Sequence, residues 1–123
     1  MAEDVSESEV STKLDLTTLE ASAKQCRRLI VEMVHKAGAG HPGGSLSAID
    51  LIVGLYGTQM RIRVDEPNWP DRDRFIMSKG HASPAVYSIL HEVGYLDYED
   101  LMGFRTLGSV CQGHVDMRWT DGV

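Results

Sequence analysis

The sequence predicts an α/β fold, a parallel sheet with flanking helices, and three observations carry that expectation. Arg74-Phe75-Ile76-Met77-Ser78 is a short apolar run of the kind that fills a buried strand. Gly80-His81-Ala82 turns the chain directly after it, and Ser83 and Pro84 suit the start of a following helix. Apolar residues at spacings of three and four elsewhere in the chain supply helices to cover a sheet. Strand, glycine turn and helix form the unit of parallel α/β sheets, whose ligands bind at the carboxyl ends of the strands.

The elements follow in order. Residues 1–15 are rich in Ser, Glu and Val without a sustained period, which predicts a flexible acidic tail. Thr17-Thr18-Leu19-Glu20 reads as a capping box, with the Thr17 hydroxyl and Glu20 carboxylate satisfying backbone donors that the first turn leaves orphaned. The stripe Ala23, Cys26, Leu29/Ile30, Met33, Ala37 then predicts an amphipathic helix, ended by Gly38 and Gly40. A second helix is expected over 45–56, capped by Ser45 and stopped at Gly57. It is apolar around most of its circumference, so it should be buried on several sides, within a larger domain or at a subunit contact. Residues 60–64 alternate as a short extended segment would, and Pro67 and Pro70 set a loop over 66–71. A helix over 84–93 with a Gly94 stop and a short one over 97–104 capped by Asp97 complete the expected elements; from Arg105 onward only loop is expected.

Composition narrows the function classes. The chain has 123 residues, 42% hydrophobic and 24% charged, an ordinary globular balance for at most one domain. Twelve basic residues against 18 acidic ones leave a net charge of −6, which argues against a nucleic-acid surface. Within 1–15, five acidic residues stand against Lys13 alone, so the tail holds −4 of that charge. No run approaches the ~18 apolar residues of a membrane helix, and the polar, acidic start is unlike a signal peptide. A soluble, cytoplasmic protein is expected, with Cys26 and Cys111 as free thiols.

Three of the five histidines, His41, His81 and His114, directly follow a glycine where regular elements change. A glycine lets the backbone approach a ligand closely, and three such pairs suggest one site assembled from three loops. The backbone N–H groups opening the 84–93 helix are expected to face outward there and to suit an anion such as a phosphate. His35 and His91 are expected at solvated positions on their helices. Cys111-Gln112-Gly113-His114 has a C-x-x-H spacing, but no second ligand pair accompanies it, and no carboxylate pattern supports a three-histidine zinc site.

These residues resemble the N-terminal, diphosphate-binding part of transketolases, among the thiamin-diphosphate enzymes. The resemblance runs from about residue 16 to the end. It rests on Gly40-His41-Pro42-Gly43, on the run Asp71-Arg72-Asp73-Arg74-Phe75-Ile76-Met77-Ser78-Lys79-Gly80-His81-Ala82, on Tyr95 after Gly94, and on Gly113-His114. It implies that 16–123 is the N-terminal portion of a thiamin-diphosphate-binding domain, expected to be incomplete. Catalytic roles are implied for His41, near the scissile bond of a donor ketose, and for His114, toward the hydroxyls of the transferred two-carbon fragment. Cofactor contacts are implied for His81, Gly80 and Gly113. Such a transfer needs a hydroxyl to lose a proton while an alkoxide develops elsewhere, and an imidazole titrating near neutrality serves both. Asp73 and Arg74 are expected to lock the loop before the strand.

The sequence also departs from the family pattern. Val115-Asp116 follows the third histidine where the family has Pro-Glu, and Lys79 stands where many members have asparagine. Gly-Asp-Gly, which with a downstream asparagine holds the family's divalent metal, is absent. The resemblance therefore implies thiamin diphosphate and Mg2+ with the metal ligands outside this chain, a sugar phosphate substrate, and a partner subunit carrying the C-terminal, pyrimidine-binding domain in a hetero- or homo-oligomer. The isolated chain is expected to be inactive. Alternatives are another enzyme of the superfamily, such as the pyruvate dehydrogenase first component or deoxyxylulose-phosphate synthase, and a non-catalytic docking scaffold.

Overall fold

The computed structural model describes residues 13–123; the rest of the expected tail, residues 1–12, lies outside the described residues. Helix α1 spans Leu16–Ala37, and Ala23, Cys26, Leu29, Ile30 and Met33 form its buried stripe, as their spacing predicts. Its cap is Asp15 rather than Thr17: the Asp15 carboxylate accepts from Thr18 N at 2.9 Å. The same contact holds the Asp15 carboxyl below its ordinary value. Gly38, left-handed at φ 70°, closes the helix by donating to the Val34 and His35 carbonyls.

Helix α2 spans Pro42–Thr58, beginning three residues before the expected Ser45. Proline suits this first turn because its fixed φ is helical and its missing N–H would have had no partner there. Ser45 is thereby carried inside. It is fully buried, and its Oγ accepts from Ala85 N at 3.2 Å, tying α2 to the next helix. Gly57 lies within the last turn instead of ending it; a Cβ there would sit 2.6 Å from Leu19 Cδ2, so the glycine lets α1 come close. The expected burial of α2 on several sides holds for two, against α1 and the helix containing Ala85. Leu51, 76% exposed, and Leu55 leave a third side open.

A 3-10 turn, Gly80–Ala82, leads into α3, Ser83–Val93, which a left-handed Gly94 ends. Ala82 and every residue of α3 through Leu90 are buried, making it the central helix. Helix α4, Tyr98–Met102, is shorter than the expected 97–104; Asp97 and Asp100 close a capping box at its start. Leu29, Ile30, Ile49, Leu90 and Leu101 are fully buried or nearly so where the four helices meet, each stabilising the fold by roughly 1.5–3 kcal/mol. Residues 105–123 form no helix or strand. They are held by Thr120 Oγ1 donating to Val110 O, and by Arg72 Nη2 donating to Val123 O at 2.8 Å.

The described residues do not form the expected parallel sheet. Among the described residues no strand forms, and the architecture is helical. Residues 74–78 keep a strand's alternation, with Phe75 and Met77 packed toward the core and Ile76 82% exposed. A strand also needs a neighbour to complete its hydrogen-bond ladder, and the described residues bring none beside it. What precedes it is the expected lock: Asp73 N donates to Arg61 O at 2.9 Å, Arg61 N to the Asp73 carboxylate at 2.7 Å, and Arg74 Nη1 to Arg72 O at 3.0 Å.

Candidate functional site

The three glycine-preceded histidines arrive from three different connections. His41 caps α2, His81 sits in the 3-10 turn before α3, and His114 lies in the loop after α4. The last loop is drawn in by α3, because Ser83 Oγ donates to Gly113 O at 2.7 Å and Tyr87 Oη to Gln112 O at 2.6 Å. A pocket of about 200 Å³ results, lined by Gly40, His41, His81, Phe104, Arg105, Gly113 and His114.

Two glycines set the spacing within it. A Cβ on Gly80 would lie 2.5 Å from His114 Cδ2, and one on Gly44 would lie 3.1 Å from His81 Nε2. Each ring therefore rests against bare backbone, and a Cβ at Gly80 would displace the His114 ring while one at Gly44 would press on His81. The His41 and His81 rings meet edge-on, with centroids 5.9 Å apart at 72°. All three histidines are exposed, and among the described residues their rings make no hydrogen bond. No carboxylate lines the pocket. Such a set of rings suits a polar ligand rich in oxygen, to which imidazoles can donate hydrogen bonds or from which they can take a proton.

Two expectations about this region change. The N–H groups opening α3 do not face outward: Ser83, Pro84 and Ala85 are buried, and Ala85 N is engaged by Ser45 Oγ. An anion in the pocket would meet side chains instead of that helix start. His91 is not a solvated surface residue either. It is half-buried, with Nδ1 2.8 Å from Leu96 O, closing the turn after α3. His35 is exposed, as expected. Cys111 is fully buried, and burial pushes its thiol up to about 12, whereas His114 stays exposed. Among the described residues no three His, Cys, Asp or Glu side chains stand together as a metal-holding group.

Sequence reasoning missed Phe104 and Arg105. The expected helix over 97–104 enclosed the first, and the second was the opening residue of an unassigned loop. Arg105 has φ 67°, and its N–H donates to Cys111 O at 2.9 Å, which closes the 105–111 loop.

The family model of the transketolase, thiamine diphosphate-binding domain matches residues 18–123, which include all of these pocket residues. The chain belongs to the transketolase thiamine diphosphate-binding domain family. It is 41% identical over 106 residues to a transketolase of Treponema pallidum, covering 85% of this chain and 16% of that protein. It is also 41% identical over 105 residues to a 6-deoxy-6-sulfo-D-fructose transketolase subunit of a Clostridium species, covering 85% of this chain and 38% of that subunit. Among solved structures, the transketolase of Leishmania mexicana superposes with a TM-score of 0.81 at 38% identity, over 85% of this chain and 16% of that one. The chain therefore spans well under half the length of these relatives. Each of these relatives carries the name of a transketolase or of a transketolase subunit.

The pocket fits part of such a cofactor. Its unengaged imidazoles and lack of carboxylates suit phosphate oxygens, and Gly44 and Gly80 keep backbone bare beside two of the rings.

Proposed function

We propose that this chain supplies part of the thiamine diphosphate site of a transketolase, which moves a two-carbon ketol unit from a ketose phosphate to an aldose. The observation that carries this reading is the single pocket that brings together His41, His81 and His114 in a chain of this family. Residues 16–123 are then the N-terminal portion of the diphosphate-binding domain. Segment 74–78 becomes a strand of a parallel sheet once further residues of that domain lie beside it, and its alternation of inward Phe75 and Met77 with exposed Ile76 supports this.

Bound there, thiamine diphosphate supplies the carbanion and electron sink that ketol transfer requires. This chain's residues bind, orient and move protons. His81, beside Gly80, donates a hydrogen bond to a diphosphate oxygen. His41, at the mouth of α2, takes the proton from the donor sugar's hydroxyl as the C–C bond breaks. His114, placed by Gly80 and the Gly113 carbonyl contact, holds the hydroxyls of the two-carbon fragment. Magnesium ligands, and a glutamate that activates the cofactor, come from outside this chain, the latter on a C-terminal, pyrimidine-binding partner subunit. The Clostridium relative, itself called a transketolase subunit, supports the existence of such a partner. Two free, buried thiols suit a reducing compartment, and we place the assembly in the cytoplasm.

The test is to reconstitute the chain with the remainder of the domain, its partner, thiamine diphosphate and Mg2+, and to assay ketose donors against pyruvate. Transfer from a ketose phosphate is expected, with His41→Ala and His114→Ala each lowering kcat by roughly 10²–10⁴-fold. Activity with pyruvate only, or unchanged transfer in both variants, would overturn the reading. The isolated chain should show no turnover and bind thiamine diphosphate weakly in isothermal titration; tight binding would contradict the need for ligands beyond it.

A further inference from the structure

The arginine of the pocket has a different standing from the others. Six of the eight arginines are engaged. Arg27, Arg61, Arg63 and Arg118 pair with Asp50, Asp73, Glu66 and Asp116, while Arg72 and Arg74 donate to backbone carbonyls. Arg28 is exposed on α1. Arg105 alone lines the pocket, and its guanidinium makes no hydrogen bond or ion pair among the described residues.

Its backbone is unusual too. At φ 67° it occupies the left-handed region that residues with a Cβ rarely adopt, and it is the one non-glycine residue to do so among those described. The N–H bond to Cys111 O holds it there. The side chain is consequently directed to the Gly113 wall, where Nη1 lies 3.9 Å from the position a Cβ on Gly113 would take. Arg105 is itself exposed, at the rim of a pocket without a carboxylate, and there its planar fork of five donors suits an oxyanion from outside.

We propose that Arg105 is an oxyanion-binding residue of this pocket, taking a phosphate group of the ligand through its guanidinium, alongside the histidines. The inference rests on the pocket being the ligand site. The phosphate could belong to the cofactor's diphosphate or to a sugar phosphate, and the probes below separate the two.

The test is titration of the reconstituted assembly, with this chain selectively labelled, with inorganic pyrophosphate, inorganic phosphate and ribose 5-phosphate, followed by NMR of the histidine ring signals and of the Arg105 side chain. Pyrophosphate or ribose 5-phosphate should move the Arg105 signal together with those of the pocket histidines; preference for the first indicates the diphosphate, preference for the second the sugar. Arg105→Gln should weaken binding roughly tenfold or more, Arg105→Lys less, since it keeps the charge but loses the fork. Arg28→Gln should leave it unchanged. Thermal unfolding of each variant checks that the fold persists. Binding by Arg105→Gln equal to wild type, or no binding of any probe to the wild type, overturns the proposal. The two readings fail separately. Pyrophosphate held by Arg105 in an assembly that transfers no ketol unit would refute the transketolase activity alone. A reconstituted enzyme whose KM for cofactor and for sugar is unmoved in Arg105→Gln would refute this role alone.

Discussion

Gly80 carries the most specific consequence at the scale of single residues. The 2.5 Å between its would-be Cβ and His114 Cδ2 leaves no room for a methyl group, and the exposed ring is what would yield. Gly80→Ala should therefore displace His114 while leaving the fold intact. The expected outcome is a changed His114 ring signal, a Tm close to wild type, and a loss of ketol transfer in the reconstituted enzyme approaching that of His114→Ala. The two cysteines behave oppositely. Both are fully buried, and burial pushes each thiol up to about 12, so neither forms appreciable thiolate near pH 8. A thiol-specific disulfide reagent should label neither Cys26 nor Cys111 until the chain unfolds; rapid labelling of native Cys111 would contradict its place in the core. The Gly-His pairs made the candidate site readable at this scale, because a histidine beside a turn is placed to face outward. His91 was misread since its partner, the Leu96 carbonyl, is supplied by a turn that the sequence alone does not position. Arg105 left no signal, because a left-handed arginine is a product of the loop closing on Cys111.

Among the elements, α2 shows where local signals and packing diverge. Ser45 looks like a cap in sequence, yet Pro42 opens the helix a turn earlier, and Ser45 becomes a buried acceptor for Ala85 N. Ser45→Ala would strip that donor of its partner in the interior, at a cost of about 1–3 kcal/mol. If Ser45 were a surface cap instead, Gly would substitute for it with little loss, so similar chemical denaturation midpoints for Ser45→Gly and wild type would argue against the burial. Helices α1 and α3 were legible because an apolar stripe and a glycine stop are local properties. The strand was half legible. Its composition and alternation are present in 74–78, but pairing is a property of two segments, and among the described residues no strand forms beside it.

For the molecule as a whole, proton binding by buried thiols and phenols predicts the alkaline limit of stability. Cys26, Cys111 and Tyr56 are each raised to about 12 by burial, from ordinary values of 9.0, 9.0 and 10.0, and burial also pushes Tyr87 up. The folded chain thus holds protons that the unfolded chain releases. Their contribution is complete below pH 9 and declines as pH rises from about 9 toward 12. Urea midpoints should be flat from pH 7 to 8.5 and fall above pH 9; stability rising over that upper range would contradict the burial of these groups. No described helix is long and apolar enough to cross a membrane. Leu51 and Leu55 on the open side of α2, and Ile76 in the 74–78 segment, are the large apolar side chains these elements leave exposed.

The most direct test follows the histidine ring signals of this chain, selectively labelled in the reconstituted assembly, as thiamine diphosphate and Mg2+ are added. His41, His81 and His114 should all shift together at one saturation point, while His35 and His91 stay in place. A response from only one of the three, or an equal response from His35 or His91, would contradict a single cofactor pocket built from these loops.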